Sequence, residues 1–150
     1  MTFVVVVLGF STQTHKAEYL AQANFIIAID IGHTKERPGA ISARGIGEFY
    51  FNQNIAKLLY RELNQHGFMK AFIINEEGGN IILKERIQIA KEHNAHVLIS
   101  IHHDSVQPQY LSSWNNEGTQ LRYSDLFEGY SIFYSEKNAE AKKVSLLLVY

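Results

Sequence analysis

The sequence contains no cysteine. Disulfides, a thiolate nucleophile and cysteine-ligated metal sites are therefore excluded together, and the redox compartment stays open because a cysteine-free chain suits either. Any metal must sit on histidine and carboxylate. Proline is also scarce, with two in 150 residues, and the net charge is only −1. Neither a disordered chain nor a polycationic nucleic-acid binder has that composition. No apolar run approaches the roughly 20 residues needed to span a bilayer, so no transmembrane span is expected. What the chain does have is a 46% share of hydrophobic residues and seven histidines. A length of 150 residues suits one domain with a real core. Composition leaves the oligomeric state undetermined.

Residues 1–23 carry two readings. Val4–Leu8 is a short apolar run followed by Gly9 and Phe10, and Ala21-Gln22-Ala23 has the small-x-small form of a signal-peptidase site. No Lys or Arg precedes the run, and the polar stretch Ser11–Glu18 is long for a cleavage region. The segment is thus either a signal or export segment, or an N-terminal extension made of a strand and a linker. The domain proper spans residues 24–150.

From Phe25 the pattern is regular. Phe25–Ile29 is a continuous apolar run of strand length that ends in Asp30 and a Gly-containing loop through Gly45. Phe51, Ile55, Leu58, Leu59 and Leu63 then recur at helical spacing, with Asn52, Lys57, Arg61 and Gln65 on the polar side and Gly67 at the C-terminal cap. This predicts an amphipathic helix from about Glu48. Ala71–Ile74 is a second strand. After the turn Glu77-Gly78-Gly79, Asn80 is an N-cap for a helix with Leu83, Ile87 and Ala90 on one face, ending near Asn94. Val97–Ile101 is a strand that delivers His102 and His103 at its carboxyl end, and Tyr130–Tyr134 is a fourth. Residues 105–128, rich in Ser, Asn, Gln and Tyr, read as an inserted loop. Alternating strands and helices predict an α/β fold: a mostly parallel sheet with helices on both faces and a ligand site at the carboxyl ends of the strands.

That topology converges three side chains: His33 after the first strand, Glu48 at the start of the next helix, and His102 at the end of a neighbouring strand. Two imidazoles and one carboxylate form a catalytic zinc set, leaving a fourth position for a water whose pKa falls to about 7. The same residues have ordinary roles available. His33 can shape the turn beside Gly32, Glu48 can complement a helix dipole, and His102 can be a satisfied strand-end residue. Imidazole and carboxylate also suit other divalent metals.

Ile29-Asp30-Ile31-Gly32-His33, Pro38-Gly39-Ala40, Gly47-Glu48, Leu83-Lys84-Glu85-Arg86, Asn94 and Ser100-Ile101-His102 occur together, in order. In this combination the chain resembles the zinc-dependent N-acetylmuramoyl-L-alanine amidases of the third amidase family, over about Phe25 to Tyr134. The resemblance implies a Zn²⁺ cofactor on His33, Glu48 and His102, with peptidoglycan as partner and substrate. The implied reaction is hydrolysis of the amide between N-acetylmuramic acid and L-alanine, in the periplasm or outside the cell. It departs from the family where Ile31 stands for the usual Pro, Thr34 for a common Gly, and His103-Asp104 for Ala-Asn. The family also has a catalytic glutamate on a strand near the domain's C-terminus. Asn138–Val144 reads as a helix start and Leu146–Val149 as an abrupt apolar end, so the domain is expected to be incomplete there, with the catalytic residue unassigned.

The remaining candidates are less specific. Asp30 and Asp104 are possible partners for the far nitrogen of a liganding His. Arg86 is a candidate for pairing with a carboxylate near the site or for substrate binding, against a solvated helix face. His103 is a candidate spare ligand or substrate-binding residue, against a structural or rim role, since its side chain turns away from that of His102. Tyr110, Trp114 and Tyr123 either stack on sugar rings or pack the inserted loop onto its domain. Glu117 and Glu128 are carboxylates without positional support. Two functions stand as alternatives to the amidase: a zinc-containing cell-wall-binding module without turnover, and a metallohydrolase of another amide or peptide.

Overall fold

The computed structural model describes residues 2–9, 24–135 and 137–138. In it β2 (Ile27–Ile31) is a strand buried throughout. β2 is flanked in parallel by β3 (Phe72–Ile74) and β4 (Val97–Asp104). β1 (Thr2–Gly9) lies antiparallel along β4, with Val4 opposite His102, and β7 (Tyr130–Tyr134) runs parallel to β1. The five strands take the order β3-β2-β4-β1-β7. The sheet is therefore mixed, with its parallel part where the strand–helix alternation lies. Of residues 1–23, residues 2–9 form β1 and residues 10–23 lie outside the described residues. So does the segment expected to begin a helix, beyond Asn138.

The two helices take opposite faces because the chain reverses direction across β2. α1 (Glu48–Gln65) carries it from β2 outward to β3, and α2 (Leu83–Glu92) brings it back past β2 to β4. Right-handed crossovers in opposite directions put their helices on opposite faces. Strand alternation agrees. Ile27, Ile29, Ile31, Val97, Ile99 and Ile101 pack with Phe49 and Ala56 of α1, whereas Ala28 and Leu98 pack with Ala90 of α2 and with Ile74.

Both helices bury a stripe shifted from the one their apolar residues predict. In α1 the fully buried positions are Glu48, Phe49, Asn52 and Ala56, while Leu58 is 45% exposed. In α2 they are Arg86 and Ala90, and Leu83 is 67% exposed. The reason is the same in each: near the carboxyl edge of the sheet the helix face meets loop carbonyls and carboxylates, so polar side chains occupy the inward positions there. The second helix also starts later than Asn80. Its N-cap is Ile82, whose N–H donates to the Glu85 carboxylate at 2.7 Å. Ile82 has no side-chain acceptor, so this is half of a capping box.

The inserted segment is more ordered than expected. A 3₁₀ turn at Pro108–Tyr110 leads into an antiparallel hairpin of β5 (Ser112–Asn116) and β6 (Thr119–Tyr123). Its two-residue turn, Glu117-Gly118, has positive φ at both positions, 50° and 88°, as a type I′ hairpin requires. The Trp114 indole N–H donates to the Ala43 carbonyl at 2.7 Å, tying the hairpin to the loop before α1. No described helix is long and apolar enough to cross a membrane.

Candidate metal centre

Ile31 and Ile101 are paired across β2 and β4, so His33 and His102, each just beyond, arrive at the same sheet edge. Glu48 enters from above as the first residue of α1, behind the N-cap Gly47. A carboxylate at a helix N-terminus is electrostatically favoured. The loop between folds back to hold it: Glu48 N–H donates to the Ala40 carbonyl at 2.8 Å, and Phe49 N–H to that of Pro38 at 2.9 Å.

The Glu48 carboxylate joins the three residues. Its Oε2 lies 3.1 Å from His33 Nε2 and accepts the Ala40 N–H at 3.0 Å. Its Oε1 lies 3.0 Å from His102 Nδ1 and accepts the His103 N–H at 2.8 Å and the Asn52 amide at 3.3 Å. Burial alone would raise the pKa of this carboxyl. The hydrogen bonds from His102, Ala40, His103 and Asn52 outweigh it and bring the pKa down from 4.5 to about 2. The carboxylate is thus held ionised. Burial pushes His103 below its ordinary value, against the attraction of Glu48.

One potential ligand atom from each of His33, Glu48 and His102 lies within 4.8 Å of the others. That set fits a divalent metal ion by several tests. Its donors are nitrogen and oxygen, as zinc takes them. The imidazole side chains keep 33% and 27% of their surface exposed while Glu48 keeps 2%, so the anion is buried and the open side of the centre faces solvent. Two glycines shape the space. A Cβ on Gly32 would overlap the His102 ring, and one on Gly39 would stand 2.5 Å from Glu48 Oε2 and 2.6 Å from the His33 ring.

His33 itself adopts a left-handed backbone, φ 68°, uncommon for a residue with a side chain. Donors from other elements hold it. The buried Arg86 of α2 spends its guanidinium on Asp30 (2.6 Å), on the Ile31 carbonyl and on the His33 carbonyl (2.6 Å). The Asn75 amide also donates to the His33 carbonyl, at 3.0 Å. Asp30 takes the Ser100 hydroxyl at 2.7 Å with its other oxygen. Arg86 is therefore turned into the protein behind the His33 loop rather than toward a substrate, and Asp30 bonds Arg86 and Ser100 rather than a ligand imidazole. No described buried side-chain polar atom lacks a partner.

His103 lies on the α1 side of β4, where its Nδ1 meets Asn52 Oδ1 at 2.6 Å and its ring tilts against Phe51. Asp104 is exposed at the strand's end, and Glu117 and Glu128 are exposed on the inserted segment. Tyr110 packs edge-on to Phe127. Tyr123 lines a cavity of about 140 Å³ with Ser42, Ser105, Arg122 and Asp125. Asn52 and Asn75 escaped the sequence reading as site residues, and Ser100 entered it only as part of the Ser100-Ile101-His102 motif. The available signal for Asn52 was its spacing of four from Glu48, one helical turn below a ligand.

Known proteins are similar to parts of this chain. A protein of Buchnera aphidicola subsp. Baizongia pistaciae, provisionally described as an N-acetylmuramoyl-L-alanine amidase, is 39% identical over 87 residues, 58% of this chain and 40% of the relative. Another of Haemophilus influenzae, provisionally described as N-acetylmuramoyl-L-alanine amidase AmiB, is 36% identical over 105 residues, 69% of this chain and 24% of the relative. The chain thus spans less than half the length of these relatives. The solved structure of N-acetylmuramoyl-L-alanine amidase AmiC2 of Nostoc punctiforme aligns over 56% of this chain and 46% of its own, at 30% identity and a TM-score of 0.49. Residues 27–148, most of the chain and all three converging side chains, match the family model for N-acetylmuramoyl-L-alanine amidase, and the chain belongs to that family.

Proposed function

We propose that this chain is the zinc-binding part of a peptidoglycan amidase that acts outside the cytoplasm, on the amide between N-acetylmuramic acid and the L-alanine of the stem peptide. The observation that carries the reading is the convergence of His33, Glu48 and His102 within 4.8 Å, in a chain of the amidase family. Zinc bound there supplies a Lewis acid for the scissile carbonyl and activates water at neutral pH. The chain's own contribution is positional. Glu48, with its pKa near 2, offers an anion without competition from protons at neutral pH. Gly32 and Gly39 leave room for the rings, and the exposed edges of His33 and His102 leave the substrate side open. Periplasmic or extracellular action follows from the substrate, which lies beyond the cytoplasmic membrane.

The test is metal content by elemental analysis of the purified chain beside His33→Ala and His102→Ala, with release of stem peptide from purified cell wall assayed on the same samples. Near-stoichiometric zinc, lost in both variants and accompanied by release, supports the proposal. Zinc and wall binding without release would replace the hydrolase by a wall-binding module. Metal-dependent cleavage of other amides without stem-peptide release would move the chain to another metallohydrolase activity. A folded parent chain that takes up no zinc would sink the reading.

A further inference from the structure

We propose that Asn52 is a positioning residue of the metal centre, a side chain beside Glu48 that bonds to all three candidate ligand-bearing segments. The inference rests on the zinc reading above and concerns how the site is held. Asn52 lies one turn beyond Glu48 on α1 and is fully buried. Its amide nitrogen donates to the Gly32 carbonyl at 3.1 Å, next to His33, and to Glu48 Oε1 at 3.3 Å. Its amide oxygen meets Nδ1 of His103, next to His102, at 2.6 Å.

Partner chemistry fixes the orientation of this amide. A carbonyl and a carboxylate accept only, so the NH₂ must face Gly32 and Glu48, and the oxygen is left for the imidazole. An amide oxygen also only accepts. His103 therefore carries its proton on Nδ1 when neutral, and Asn52 sets that tautomer. Neither substitution at position 52 considered below reproduces this set of partners. Alanine removes all three bonds. Aspartate keeps the shape but sets a carboxylate against the Gly32 carbonyl and the Glu48 anion. Asn52 touches no candidate ligand atom except Glu48 Oε1, so its effect on the two histidines passes through their neighbours in the chain.

The experiment compares the full chain with Asn52→Ala and Asn52→Asp. It reads the zinc dissociation constant by chelator competition, at a temperature where circular dichroism shows each protein folded. It also reads the His103 tautomer by ¹⁵N imidazole NMR in the metal-free state. Loss of groups that support metal ligands typically weakens affinity about 10- to 100-fold. Both variants should fall in that range, and the His103 proton should shift from Nδ1 toward Nε2 in Asn52→Ala. Folded variants that bind zinc within about twofold of the parent would overturn the proposal, since a purely structural role lowers stability and leaves the folded protein's affinity alone. If the parent itself takes up no zinc, the amidase reading falls separately. The metal-free NMR then decides on Asn52: a displaced tautomer supports its ordering role, and an unchanged one overturns it.

Discussion

A single methyl group at position 32 is enough to test how tightly the centre is built. Gly32 needs no left-handed φ; what forbids a side chain is the His102 ring, which a Cβ would overlap, together with the Ile101 carbonyl 2.6 Å away. Gly32→Ala should therefore cost at least the usual overpacking penalty of about 1–3 kcal/mol, and lose most of its zinc affinity because both the His102 ring and the Ile101 backbone must shift. Gly79→Ala is the control, since its Cβ would meet only the Asn75 side chain at an ordinary 3.7 Å. Zinc titration with circular dichroism on both variants checks the pair. The Glu48 carboxyl makes a second prediction, in the metal-free chain. Its folded pKa of about 2 lies below the ordinary 4.5. The folded state therefore binds fewer protons than the unfolded one between those values, and stability falls as pH falls. The contribution is fully present above pH 4.5 and is lost as pH drops toward 2. In Glu48→Gln this term is missing at every pH, so its deficit in urea midpoint should be largest above pH 4.5 and shrink on acidification. A deficit constant across that window would contradict the hydrogen-bonded carboxylate described above.

Between elements, the decisive contact is the buried pair of Arg86 on α2 and Asp30 on β2. Removing one member of a buried ion pair typically costs about 3–5 kcal/mol, because the partner is left charged and unpaired. Arg86→Met should therefore lose about that much in urea denaturation, and Arg86→Met with Asp30→Asn should recover part of it. This pair also shows where sequence reasoning succeeds and where it stops. The apolar runs at β2, β3 and β4 and the approach of His33, Glu48 and His102 to one another were legible, because strand length and position at a carboxyl edge are written locally. Asn52 reads as part of the polar side of an amphipathic helix, which usually faces water, and for Arg86 the sequence leaves a carboxylate partner, a substrate and solvent all open. Only the three-dimensional approach of the β2 loop gives them inward partners. The β5–β6 hairpin was missed for another reason: Trp114, Leu121 and Tyr123 share one face, but each strand is short and mostly polar, and Glu117-Gly118 is a weaker signal than Asn-Gly. The helix ends carry a smaller device. His66 and His93 each place Nδ1 against the carbonyl four residues earlier, at 2.8 and 2.9 Å. Alanine at either position should cost about 1 kcal/mol, the net worth of a hydrogen bond, as read by thermal melting.

For the molecule as a whole, zinc that binds only the folded state adds stability by mass action. At a free concentration a hundred times the dissociation constant the gain is about 2.7 kcal/mol. Adding chelator should lower the melting temperature of the parent chain and leave that of His102→Ala unchanged; equal shifts in both would place the metal elsewhere. Assembly has a further consequence, set by β1. The path β2–α1–β3–α2–β4 folds each element onto one made shortly before it, and it contains all three ligands. β1 instead pairs Thr2 with Asp104, positions about a hundred residues apart, the kind of contact that closes late because loop entropy must be overcome first. A strand made before β2 thus docks after β4, and β7, paired to β1, waits with it. A chain emerging from the ribosome can complete its metal centre while β4 still has an open edge. Metal capture and closure of the sheet are then separate events in time, and pulse-labelled hydrogen exchange during refolding should protect the amides of β2 before those of β1.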